Sequence, residues 1–156
     1  MKPLYRGLLV TVVQCLLVLS VAGKYALDRE RLPRVWAQAV PRDPNLFVRG
    51  RYVSLQLRVE GQPPQTAAWT AARLTVEDGR LVAIPDSAGS VHVNVLAGRE
   101  ILVEPVAYFI PDNVPDPSMR RPGEELWVEV SVPARGAPRP IRLAVKKDDI
   151  LTPLVF

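Results

Sequence analysis

Arg51 to Glu60 reads RYVSLQLRVE, with Val53, Leu55, Leu57 and Val59 alternating against Ser54, Gln56, Arg58 and Glu60. Successive strand side chains point to opposite faces, so a period of two over this length predicts a half-buried antiparallel strand. Downstream, Thr70 to Val76 and Arg80 to Ile84 flank Glu77-Asp78-Gly79, and the Asp-Gly pair predicts a hairpin between them. Further strands are expected at Ser90 to Leu96, at Ile101 to Ile110 with a bulge or break at Pro105, at Glu125 to Val132 and at Ile141 to Lys146. Seven or so short strands without an intervening amphipathic helix predict a mainly β fold, an antiparallel β-sandwich or partly closed β-barrel. There is no internal repeat.

Upstream, Gly7 to Gly23 is an uncharged run, GLLVTVVQCLLVLSVAG, bounded by Arg6 and Lys24. A helix of this length rises about 26 Å, near the lower limit for crossing a hydrocarbon core. Tyr5 and Tyr25 flank it where amphipathic rings prefer the membrane interface. Lys2, Arg6 and the small residues Ser20-Val21-Ala22 also suit a cleaved signal peptide. A core helix is the third reading, disfavoured by an apolar character that runs all round the segment. The expected layout is an N-terminal transmembrane anchor over 1–25, a juxtamembrane stalk over 26–42 that breaks near Pro33, and a β-rich soluble domain over 43–156. Lys24, Arg29, Arg31, Arg34 and Arg42 follow the span, which by the positive-inside count opposes export, although long domains translocate despite their charge.

Composition narrows the class. Of 156 residues 48% are apolar and 23% charged, which favours a folded domain over a disordered chain. The 16 prolines cluster at Pro33 to Pro44, Pro63 to Pro64, Pro105 to Pro122 and Pro133 to Pro140; lacking a backbone donor, they cut the chain into short elements. The net charge of +4 is dispersed, with Arg120-Arg121 and Lys146-Lys147 the basic pairs, so no nucleic-acid partner is expected. The single cysteine, Cys15, lies in the apolar run, which leaves the remainder without a disulfide or a thiolate metal site.

Asp43-Pro44, followed by Gly50-Arg51-Tyr52-Val53-Ser54-Leu55-Gln56-Leu57 and later by Tyr108-Phe109-Ile110-Pro111, resembles the GDYXXLXY proteins, membrane-anchored bacterial proteins named for that motif. The resemblance covers the helix, the stalk, the Asp-Pro dipeptide and both aromatic segments. It implies a single-pass protein of the bacterial inner membrane with a periplasmic domain, acting with multi-spanning membrane proteins. The sequence departs from the motif at Arg51, where the family has aspartate, at Leu57, where it has tyrosine, and at Asp112, where it has glutamate. A function that used the motif carboxylate would be lost or altered here. The pattern also has a structural reading, since Gly50 allows a tight entry into the strand.

No catalytic constellation is legible. His92, the one histidine, lies in the strand pattern SVHVNV and reads as a solvated strand residue rather than a general base. No phosphate loop, HExxH, CxxC or EF-hand pattern occurs. The carboxylate groups Asp112/Asp116, Glu124-Glu125 and Asp148-Asp149 read as turn residues. Ser54 or Ser90 with Lys146 would be nominal candidates for a serine-lysine peptidase, without supporting spacing. The expectation is therefore a non-enzymatic interaction module without cofactor or metal, whose partners are the lipid bilayer, through the helix, and integral membrane proteins. Its candidate interaction surface is Asp43, Arg49, Gly50, Arg51, Tyr52, Tyr108, Phe109, Pro111 and Asp112. The alternative is a ligand-binding protein or membrane-associated hydrolase with a site between 43–51 and the proline-rich loop 111–123.

Overall fold

The computed structural model describes residues 3–42, 52–61, 70–96, 98–111 and 113–156. It divides into two units, Met1–Leu32 and Pro33–Phe156. The first is one helix, α1 (Pro3–Arg31). Its Gly7–Asp28 stretch of 22 residues is long and apolar enough to cross a membrane, rising about 33 Å. The weakly polar residues inside it return hydrogen bonds to the helix itself, Thr11 Oγ1 to the Gly7 carbonyl at 3.1 Å and Ser20 Oγ to the Leu17 carbonyl at 2.8 Å, which lowers the cost of placing them in hydrocarbon.

The second unit holds eleven strands among the described residues: β1 (Arg34–Arg42), β2 (Tyr52–Leu57), β3 (Glu60–Gly61), β4 (Thr70–Glu77), β5 (Arg80–Pro85), β6 (Val91–Leu96), β7 (Arg99–Leu102), β8 (Val106–Phe109), β9 (Glu125–Ser131), β10 (Arg139–Lys147) and β11 (Ile150–Pro153). They form a six-stranded sheet, β11-β10-β9-β1-β2-β8, and a five-stranded sheet, β3-β5-β4-β6-β7. Every named pairing is antiparallel except β3 with β5. The fold is mainly β, as expected, and consists of two sheets around one core rather than a closed barrel.

The RYVSLQLRVE stretch serves both sheets. Val53, Leu55, Leu57 and Val59 are all buried, as the alternation requires. The chain leaves the first sheet after Leu57: the Arg58 N–H still donates to the Gln38 carbonyl at 2.9 Å, while the next N–H, of Val59, donates to the Glu100 carbonyl at 3.0 Å. One run of side chains thereby fills the space between Val35, Ala37, Leu126, Val128, Val130 and Leu143 on one sheet and Leu74, Leu81, Val91 and Leu102 on the other.

Turn chemistry fixes the hairpins. Asp78 and Gly79 both have positive φ, 48° and 72°, the two-residue β4–β5 turn that the Asp-Gly pair predicted. The break at Pro105 separates β7 from β8 and sends them to different sheets.

One expectation is corrected. Residues 34–42, assigned to the stalk, form β1, a central strand with Val35, Ala37 and Ala39 buried. The β unit accordingly begins at Pro33 rather than 43. Asp148-Asp149, read from the sequence as turn residues, form the β10–β11 turn, with φ of 49° and 64°. Aspartate tolerates the left-handed region because its short polar side chain bonds locally.

Leu143 is completely buried, and Leu143→Ala removes packing that the sheet has little means of refilling. It is expected to cost about 2–5 kcal/mol, measured as a lowered denaturation midpoint of the full chain in detergent micelles.

Candidate functional site

The candidate surface is partly described. Asp43, Arg49, Gly50, Arg51 and Asp112 lie outside the described residues. Tyr52 and Phe109 stand opposite each other across β2 and β8, their ring centroids 6.0 Å apart and tilted 48°. Phe109 is 71% exposed, and Tyr52 beside it is half-buried. Tyr108, one residue earlier, points to the other face of the strand, packs against the core and meets the Phe156 ring at 6.2 Å. Pro111 is exposed, beyond the buried Ile110. The structure thus joins Tyr52 with Phe109 and separates Tyr108 from them.

The loop after Pro111 is organised by local hydrogen bonds. Asp116 Oδ1 accepts the Ser118 N–H at 2.8 Å, Glu124 Oε2 accepts the Arg121 N–H at 3.3 Å, and Arg120 donates to the Pro117 carbonyl. Burial pushes the Arg120 guanidinium below its ordinary value, with Glu124 and Asp116 pulling the other way.

A groove of 810 Å³, not foreseen in the sequence, lies elsewhere, lined by parts of β1, β3, β7, β9 and β10 and by the β4–β5 turn. Its wall begins on the face of the six-stranded sheet opposite the core. There Trp36 faces Glu129 and Gln38 faces Trp127 across β1 and β9, while Arg142 faces Glu129, Ala144 faces Trp127 and Lys146 faces Glu125 across β9 and β10. Directly opposed residues share a face, so these side chains form one layer. The Arg142 guanidinium lies 5.3 Å from the Trp36 ring centroid and the Lys146 ammonium 5.1 Å from that of Trp127, within cation–π range. Arg142 Nε also donates to Glu129 Oε2 at 2.5 Å. Ala144 is fully buried yet stands outside the core cluster, as expected of a small residue beneath this layer.

The groove is electrically balanced. Arg58, Arg80, Arg99 and Lys146 supply its cations, and Glu60, Asp78, Glu100 and Glu125 supply its anions. Several are already committed: Arg80 pairs with Glu60 at 3.0 Å, Arg58 donates to Gln38 Oε1 at 2.7 Å, and Trp127 Nε1 donates to Glu125 Oε2 at 3.0 Å. Glu100 is half-buried beside Gly61, where an added Cβ would stand 2.5 Å from the Ala83 carbonyl and 3.0 Å from Glu100 Oε2. Burial pushes the Glu100 carboxyl above its ordinary range.

His92 is more engaged than a solvated strand histidine. Its Nδ1 lies 2.6 Å from Glu104 Oε1, and its backbone N–H donates to Glu104 Oε2 at 3.0 Å. One carboxylate therefore ties β6 to the crossover that begins at Pro105. Lys146 pairs with Asp149 at 2.9 Å, and Ser90 Oγ accepts the Gly136 N–H at 2.6 Å. Among the described residues no group of three or more His, Cys, Asp or Glu is placed to hold a metal ion. In comparisons with known proteins, no family model, curated protein or solved structure matches the chain.

Two outcomes test this geometry. Arg142→Ala leaves the Glu129 carboxylate, whose side chain is only 10% exposed, without its guanidinium. The expected loss is about 1–3 kcal/mol in chemical denaturation. At Glu104, burial raises the carboxyl, but the His92 ring and backbone hydrogen bonds and the His92 charge outweigh it, so the folded-state value is depressed below 4.5. That contribution is fully present above the ordinary value and is lost as pH falls through the depressed one. Glu104→Gln is expected to flatten the acid limb of a melting-temperature profile relative to the unchanged chain.

Proposed function

We propose that the chain is a membrane-tethered, non-enzymatic interaction module. In this reading α1 is a retained anchor that holds the β unit at the periplasmic face of a bacterial inner membrane, and the Tyr52–Phe109 surface engages an integral membrane protein. The helix supports the tether by its length, its apolar composition and its internally bonded polar residues. The observation that carries the interaction is Phe109, a large aromatic left 71% exposed beside a second ring. Desolvating such an aromatic pair against a partner is the kind of contact that dominates interface energetics. The resemblance to the GDYXXLXY proteins points the same way, because their genes commonly neighbour those of multi-spanning membrane proteins.

Two measurements test the reading. The chain is expected in the membrane fraction with Gly7–Gly23 intact by mass, and a reporter active only outside the cytoplasm is expected to work when fused after Phe156. A product trimmed after Ala22 and freely soluble contradicts the tether. A photoreactive residue at Phe109 is expected to capture an integral membrane protein in intact cells; recovery of the solitary chain contradicts the interaction surface.

A further inference from the structure

We infer that α1 associates in parallel with the α1 of a second copy of this chain, through the face that carries Gln14. The inference rests on α1 being a retained membrane anchor, as proposed above, and concerns a surface separate from the Tyr52–Phe109 pair. Gln14 stands seven residues after Gly7 and nine before Gly23. At about 1.5 Å per residue its amide lies roughly 10 Å or more inside either end of the apolar run. No water is available at that depth, and an amide placed in hydrocarbon without a hydrogen-bond partner is costly.

Thr11 and Ser20 avoid that cost by bonding to the Gly7 and Leu17 carbonyls of their own helix. Gln14 does not: its side chain is exposed and, among the described residues, makes no hydrogen bond. A hydroxyl on a short side chain turns back to the preceding turn, whereas the longer glutamine carries its amide clear of the helix. That amide holds an acceptor oxygen and two donor hydrogens, so a second amide at the same depth satisfies it in both directions. Copies of one chain inserted with one topology present Gln14 at the same depth, and a two-fold axis along the membrane normal brings the two side chains together. A different membrane protein meets this need only by carrying a matching polar group at that level.

The rest of the face suits close packing. Gly7, Thr11, Gln14, Val18 and Val21 recur at alternating spacings of four and three residues, the period at which two helices stay in register along a left-handed crossing. These five are small, β-branched or polar, whereas Leu8, Leu9, Leu16 and Leu19 fall on the far side of the helix. Within a bilayer the hydrophobic effect gives helices no drive to associate, so contact rests on close backbone approach and interhelical hydrogen bonds. A Cβ added at Gly7 would meet nothing within 4 Å; nothing in the chain's own fold requires glycine there, and a neighbouring helix at that point does.

The test uses the full chain with Cys15→Ser and Ala134→Cys, labelled with donor or acceptor fluorophores and reconstituted in phosphatidylcholine vesicles. Energy transfer above the level of random encounter is expected, falling as lipid is added. Gln14→Leu is expected to weaken association about 5- to 30-fold, and Gln14→Asn to restore part of it. In a second readout, oxidation of vesicles holding single-cysteine variants of the Cys15→Ser chain is expected to link copies through Val18→Cys or Val21→Cys, and not through Leu16→Cys or Leu19→Cys. Flotation of the vesicles separates the two ways of failing. A chain that does not float with the lipid overturns both the anchor and this inference. A chain that floats but shows only random transfer, the same transfer after Gln14→Leu, or equal linkage through Leu16→Cys and Leu19→Cys overturns this inference alone. So does capture of a different integral membrane protein, without linkage between copies, by a photoreactive residue at Val18 in cells.

Discussion

The β unit depends on one short run of chain being shared between two sheets. Val53, Leu55 and Leu57 belong to the six-stranded sheet, and Val59, on the same alternation, hydrogen-bonds at the edge of the other. Because the side chains keep their period of two through the change of partner, a single apolar row closes the core from both sides. Neither sheet could bury its inner face without the other, which is the ordinary condition for a two-layer β domain. Glu104 reinforces this at the second crossover, clasping His92 where the chain passes from β7 to β8.

Such a core settles one face of each sheet and leaves the other to be explained. On β1, β9 and β10 the outer face carries its own layer of indoles, guanidinium, ammonium and carboxylate, dense enough to bury Ala144 completely. The same side chains there therefore pack the outer face and compensate each other's charge. Arg142 compensates the nearly buried Glu129 and also covers Trp36, while Lys146 covers Trp127 and bonds the β10–β11 turn. On β8, by contrast, Phe109 is left 71% exposed.

The sequence carried the parts of this fold that rest on local physics. The β2 alternation, the Asp78-Gly79 turn and the interruption at Pro105 are each legible from a few adjacent residues. β1 was hidden because its inward residues include the small Ala37 and Ala39, and because it directly follows an apolar helix and Pro33, where a stalk was equally consistent. β11 was hidden because Asp148-Asp149 lacks the glycine that marks a two-residue turn. The groove was invisible for a different reason. Trp36 and Trp127 come from distant parts of the chain, and the pairing of β1 with β9 places them on one face of neighbouring strands. The alternation of Val35, Ala37 and Ala39 with Trp36 and Gln38 was the signal that could have exposed it. Of the expected surface, the Tyr52–Phe109 contact follows from the β2–β8 register, whereas the separation of Tyr108 follows from the pleat alone.

The claim that one shared strand unites both sheets is most directly tested by native-state amide hydrogen exchange of the full chain in micelles. The account predicts that the amides of Val53, Leu55, Leu57 and Val59 exchange with a common opening free energy, equal to that of Val128 in the first sheet and Val93 in the second, because opening either sheet exposes the same core. Exchange of Val59 and Val93 at a distinctly lower free energy than Leu55 and Val128 would show two sheets that open independently, and would contradict it.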